Sequence, residues 1–250
     1  MKKFALALAA TASAISFSSA ASAANWLITY RGHVVSGYDA TGEFGTVGAT
    51  LDGAAFTAVY RLTEPTPGAV VFNDPNFSYT FGSFYDGNNP LSASVTINGI
   101  KQLFTGALFG SFGQADQQND FLGYDATSHQ VQDGENTSTE FTNNHISNYI
   151  LSNVNNIVDS SDYHQNLNYR AQSGDTSYGY LALGTYDFFN GVSVHDAAAT
   201  LYNDSVTISQ LNAVPEPASW ALMIAGFSLV GAAARRRSAN RVPATSKSNV

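Results

Sequence analysis

Ser94-Val95-Thr96-Ile97-Asn98-Gly99-Ile100-Lys101-Gln102-Leu103-Phe104 reads as two β-forming runs around a two-residue break. Asn and Gly both tolerate the positive φ of a type I′ turn, so the pair closes an antiparallel hairpin. The same grammar continues outward in both directions. On the N-terminal side, strands are predicted at 26–35, 54–62, 69–72, 77–85 and 91–97, bounded by Gly/Asp turns or by Pro65, Pro67 and Pro75. On the C-terminal side they are predicted at 101–109, 177–188 and 205–211. Punctuation this regular predicts a mainly β single domain, an antiparallel β-sandwich or jelly roll. One segment departs from it. Ile146, Tyr149, Ile150, Val154, Ile157 and Val158 recur at steps of three and four, which predicts an amphipathic helix over 145–158, laid across an open end of the sandwich.

The two ends of the chain carry a different signal. Met1-Lys2-Lys3 is a basic start, 4–17 is rich in Ala and Leu, and Ala21-Ser22-Ala23 offers the small residues of a signal-peptidase site, so 1–23 reads as a signal peptide with Ala24 as the mature start. At the other end Val214-Pro215-Glu216-Pro217 leads into an almost wholly apolar run, 218–234, and then Arg235-Arg236-Arg237. At about 1.5 Å rise per residue that run covers roughly 25 Å as a helix, the short limit for crossing a bilayer. Trp220 suits one headgroup layer and the arginines suit the other, on the cytoplasmic side. The expectation is a single transmembrane helix at 218–234, a polar cytoplasmic tail at 238–250, and a body at 24–213 outside the cytoplasm.

The tail resembles the PEP-CTERM sorting signal of Gram-negative bacteria in its PEPxxWA variant. The resemblance rests on Val214, Pro215, Glu216, Pro217, Trp220 and Ala221, the apolar segment, and the triple arginine Arg235, Arg236 and Arg237. The same short segment is also labelled an ice-binding protein C-terminal motif, a label for the tail alone. The resemblance implies export through the Sec translocon, transient anchoring in the inner membrane, and cutting near Pro215-Glu216-Pro217 by an exosortase, with the body then at the cell surface or outside the cell. Residues 32–60 also resemble the opening of uncharacterised exported bodies that carry this tail, with His33 where a Thr is common.

Composition is consistent with an exported body. Residues 24–213 hold four basic residues, Arg31, Arg61, Lys101 and Arg170, against 18 acidic ones (the chain's 19 less Glu216), a formal charge of −14. Such a charge repels nucleic acid and anionic headgroups and suits a hydrated matrix. There are no cysteines, so disulfides, thiol catalysis and thiolate metal sites are excluded.

Candidate chemistry in the body is sparse. His33, His129, His145, His164 and His195 show no zinc spacing, and no Gly-x-Ser-x-Gly elbow presents a nucleophile. Asp116, Asp120, Asp125, Asp159 and Asp162, with Asn119 and Asn155, form oxygen-rich stretches of the kind calcium requires, as does Asp86-Gly87-Asn88-Asn89, although none has EF-hand spacing; the same residues also make Asx-turns between strands. The aromatic run Phe72, Phe77, Tyr79, Phe81, Phe84 and Tyr85 is expected to alternate between core and surface, with core packing its default and its tyrosines a platform for sugar rings where they reach the surface. The reading is a non-enzymatic structural or carbohydrate-binding protein of the cell surface or extracellular matrix, with extracellular polysaccharide as partner. The alternative is a secreted hydrolase, glycosidase-like, with a carboxylate pair the sequence does not single out.

Overall fold

The computed structural model describes residues 24–64, 66, 69–83, 89–108, 110–211 and 227. The signal segment 1–23, the sorting residues Val214 to Trp220 and Arg235 to Arg237, and the tail 238–250 lie outside the described residues, as does Asp86-Gly87-Asn88. Among the described residues no helix is long and apolar enough to cross a membrane.

Among the described residues thirteen strands form: β1 (Ala24–Asp39), β2 (Ala49–Thr50), β3 (Ala55–Glu64), β4 (Val70–Asn73), β5 (Phe77–Ser83), β6 (Leu91–Ile97), β7 (Ile100–Phe104), β8 (Phe112–Phe121), β9 (Tyr124–Asn136), β10 (Glu140–Ser152), β11 (Leu167–Arg170), β12 (Thr176–Asp187) and β13 (Val192–Leu211). The Asn98-Gly99 hairpin forms as expected, with φ of 53° and 80° and Ile97 paired to Ile100. Mainly β and antiparallel is borne out. The two-layer sandwich takes a different form: hydrogen bonding runs unbroken through one sheet in the order β4-β5-β8-β9-β10-β12-β13-β1-β3-β6-β7, with β11 and β2 paired at its side.

The sheet curls until its two halves face each other. Tyr30 of β1 reaches His129 of β9, Tyr60 of β3 reaches Asn148 of β10, and Asp133 of β9 accepts backbone N–H groups of Thr105 and Gly106, just after β7. Between the halves lies one core, including Ile28, Phe56, Val95, Val131, Ile146 and Leu181. Register shifts in β1, at Arg31/Gly32 and Val34/Ser36, and in the β12–β13 pair, at Thr185/Tyr186, supply bends where the long central strands must coil.

The helix expected over 145–158 is not formed. Residues 140–152 are β10, paired to β9 on one side and β12 on the other, and the chain leaves Ser152 as an open loop. Ile146 and Ile150 are four apart, which satisfies both a helical and a strand period; the inward positions between and after them are Asn148 and Ser152, polar residues that hide the alternation. Val154 is 68% exposed, whereas Ile157 and Val158 are buried from the loop.

Strands β8 and β9 were not expected. Their sequences are dense in Gln, Asn, Asp and Gly, residues that are common in turns. Each nonetheless alternates, with Gly113, Ala115 and Gln117 inward and Gln114 and Asp116 more exposed on β8. Pairing to strands on both sides overrides the weak local preference.

Candidate functional site

Strand β12 turns Gly179, Leu181 and Leu183 inward and leaves Tyr178, Tyr180 and Tyr186 exposed on the other side. Its neighbours complete the outer face with His145, Ser147 and Tyr149 from β10, Ala198, Thr200 and Tyr202 from β13, and Tyr38 from β1. Rings meet across strands: Tyr149 and Tyr178 at 5.7 Å between centroids, His145 and Tyr180 at 5.8 Å, His33 and Tyr202 at 5.3 Å. Tyr38 is 51% exposed and Phe141, at the start of β10, is 44% exposed. The Tyr38 hydroxyl donates to Oδ1 of Asp196 at 3.0 Å, and that bond raises its phenol pKa. Burial lowers the imidazole pKa of His145, favouring its neutral form. His195 holds Oε1 of Glu43 through Nδ1 at 2.7 Å. The result is an aromatic outer face with hydrogen-bonding groups between the rings, able to stack on ligands and to bond their hydroxyls.

The tyrosines of β12 were legible as strand residues, but their face was not. Tyr178, Tyr180 and Tyr186 all sit at even spacing, so one choice of register exposes or buries them together. The run beginning at Phe72 behaves in an analogous way. Phe77, Tyr79 and Phe81 share the less buried side of β5, while Ser78, Thr80 and Gly82 point inward. Phe72 stacks on Tyr79 at 5.7 Å and Phe77 on Phe121 at 5.3 Å.

The inner face holds a second set of polar residues. The Tyr60 hydroxyl donates to Asn148, whose Nδ2 donates to Oδ1 of Asn203 at 2.7 Å; Asn203 in turn donates to the carbonyls of Tyr149 and Tyr178. His129 is 1% exposed and lies 2.9 Å from the Tyr30 hydroxyl through Nδ1, and burial brings its pKa down to about 3. At the C-terminal end of β3, Glu64 meets the Tyr163 hydroxyl and Nε2 of His164, while Asp162 takes Nδ1 of His164 at 3.0 Å. The Glu64 carboxylate raises the pKa of His164.

Of the aspartates put forward for calcium, Asp120 and Asp125 line one concavity with Asn119 and Asn155, whereas Asp116, Asp159 and Asp162 are not part of it. Asp125 accepts the N–H of Asp120 at 2.7 Å and of Ile157 at 3.0 Å, one on each oxygen. Asp159 takes Nδ2 of Asn156 at 2.9 Å, and Asp162 caps the His164 N–H at 2.9 Å. Asp116 lies in mid-strand on β8, its carboxyl pushed up to about 6 by burial. Among the described residues no group of three or more His, Asp or Glu side chains is placed to hold a metal ion. Two further buried carboxylates, Asp39 and Asp133, also hold loop backbone: Asp39 accepts the N–H groups of Gly42, Glu43 and Phe44.

Neither a curated protein nor a solved structure matches this chain. A comparison with protein-family models matches its C-terminal segment, which includes Pro215, Glu216, Pro217, Trp220 and the three arginines, and the match implies export and recognition by an exosortase. The chain therefore carries the PEP-CTERM protein-sorting motif, at residues 213–237.

Proposed function

We propose that the chain is exported under its N-terminal segment, held in the inner membrane by 218–234 and cut by an exosortase near Pro215-Glu216-Pro217. Its body then serves as a non-enzymatic surface or matrix protein that binds extracellular polysaccharide. The observation that carries the binding reading is the set of solvent-facing rings, Tyr38, Phe141, Tyr178, Tyr180 and Tyr186, on one face of the sheet. Contiguous exposed aromatic surface of this kind marks interaction sites, and rings interleaved with hydroxyl, amide and carboxylate groups suit the apolar faces and hydroxyl rims of sugars.

Mass spectrometry of the secreted and membrane fractions tests the sorting half. Peptides beginning at Ala24 and ending near Pro215 in the medium, with tail peptides confined to membranes, support it; a mature protein that keeps its tail overturns it. Sedimentation with the producing cell's own extracellular polysaccharide tests the binding half, and a protein that stays wholly in the supernatant overturns that half.

A further inference from the structure

The outer face has a track as well as rings. One register row crosses it from β8 to β1 through Phe112, Gln132, His145, Ala182, Ala198 and Tyr38, each the direct cross-strand neighbour of the next. The two alanines keep the middle of the row low, and Gly184 extends this floor along β12. A Cβ built on Gly184 would meet only the Asn143 carbonyl oxygen, at 3.4 Å.

Three open concavities follow this row. One, of about 360 Å³, lies over Gln132 and Gly134; a second, of about 290 Å³, lies over Ala182, Gly184 and Ala198; a third, of about 400 Å³, lies over Ser36, Thr50 and Thr200. The first and second share Phe141 and Asn143, and the second and third share Tyr38 and Ala198. An aromatic ring therefore stands at each border. From β9 to β1 the row makes four interstrand steps of about 4.8 Å, a track of roughly 19 Å, room for a short oligosaccharide lying across the strands.

The polar lining is also repeated. Among the described residues each concavity has one carboxylate, Glu135 in the first, Asp196 in the second and Asp52 in the third, and no Lys or Arg lines any of them. Two of these carboxylates are already engaged, Asp196 by the Tyr38 hydroxyl and Asp52 by the Gly37 N–H at 2.8 Å. They leave lone pairs for ligand hydroxyls, while their charge, within a body of formal charge −14, repels uronate or sulfated sugars.

We infer that this track binds a neutral polysaccharide chain running across the strands in three subsites, with sugar faces stacked on Phe141 and Tyr38 and hydroxyls bonded to Asp196, Asn143 and Gln132. The inference rests on the polysaccharide reading above and specifies its ligand class and its place.

The test uses partial hydrolysates of the producing cell's own extracellular polysaccharide, separated by charge into neutral, acidic and amino-bearing oligosaccharides. Each pool is titrated calorimetrically into the full chain in a sugar-free detergent. The neutral pool is expected to bind best. Tyr38→Ala and Phe141→Ala are each expected to weaken it about tenfold, equivalent to about 1.4 kcal/mol. Ala182→Leu, which adds bulk to the floor without removing any ring, is expected to weaken it as well, and unchanged thermal midpoints show that each variant folds. Preference for the acidic or amino pool, or neutral binding indifferent to all three substitutions, overturns the inference and leaves polysaccharide binding standing. Failure of every pool to bind overturns both.

Discussion

The Tyr60 hydroxyl of β3 donates to Oδ1 of Asn148 of β10 at 2.7 Å, joining residues 88 positions apart across the interior of the curled sheet. Both groups are buried, so neither has water as an alternative partner. Tyr60→Phe leaves the Asn148 oxygen without its donor and is expected to destabilise the fold by about 1–3 kcal/mol. Gly179→Ala attacks the same chain from the other side, since its Cβ would stand 2.5 Å from Asn148 Nδ2. Urea unfolding of both single variants and the double variant is expected to show a double effect smaller than the sum, because each removes the same linked bonds.

The strand reading of residues 140–152 carries its own test. Ile146 and Ile150 are fully buried, so Ile146→Ala is expected to cost about 2–5 kcal/mol. Val154 would share their face in a helix but is exposed here, and Val154→Ala is expected to change stability by less than about 0.5 kcal/mol. Equal losses at the two positions in thermal unfolding would favour the helix.

Two histidines are expected to shape stability against pH in opposite directions. His129 is held neutral, with its pKa brought down from 6.5 to about 3 by burial. Its contribution is full above about pH 6.5 and falls as the unfolded chain takes up a proton that the fold refuses, by about 1.4 kcal/mol per pH unit down towards 3. His164 is raised by its bond to Glu64, so its contribution is full below 6.5 and is lost as pH rises through the raised value. Asp116, whose carboxyl is raised to about 6, gains stability as pH falls from about 6 to 4 and so opposes His129 there; urea midpoints of Asp116→Asn are therefore expected to fall on the acid side through His129, while on the alkaline side those of the unsubstituted protein slope down through His164. His164→Gln is expected to remove the alkaline slope.

The sorting motif leads to a prediction in cells. Replacing Pro215, Glu216 and Pro217 together by Ala is expected to leave a full-length, membrane-bound product at the expense of the processed one. Immunoblots of membrane and medium fractions with antibody against the body read this directly, and unchanged release would contradict it.

The PEP-CTERM motif was legible because it is linear: Val214 to Arg237 is recognised as a string, and family comparison finds the same segment. Asn98-Gly99 was legible for a similar reason, since two adjacent residues set the turn by their own allowed φ. The β class followed from local alternation in 26–35, 54–62 and 91–97. Strands β8, β9 and β10 escaped because Gln, Asn and Asp stand where their pattern should be apolar, and those residues are held in strands only by neighbours distant in sequence.

The address at the C-terminus, the turns and the mainly β class were determined by residues close together in the chain. Which face Tyr178, Tyr180 and Tyr186 show to solvent, and that Phe141, Ala182, Ala198 and Tyr38 line one track, was decided only by tertiary structure. The reason is physical: a period of two separates a strand's residues into two faces but carries no sign, and the sign comes from register with strands distant in sequence, Tyr38 pairing with Ala198 and Asn25 with Leu211, set by which face the curled sheet closes upon.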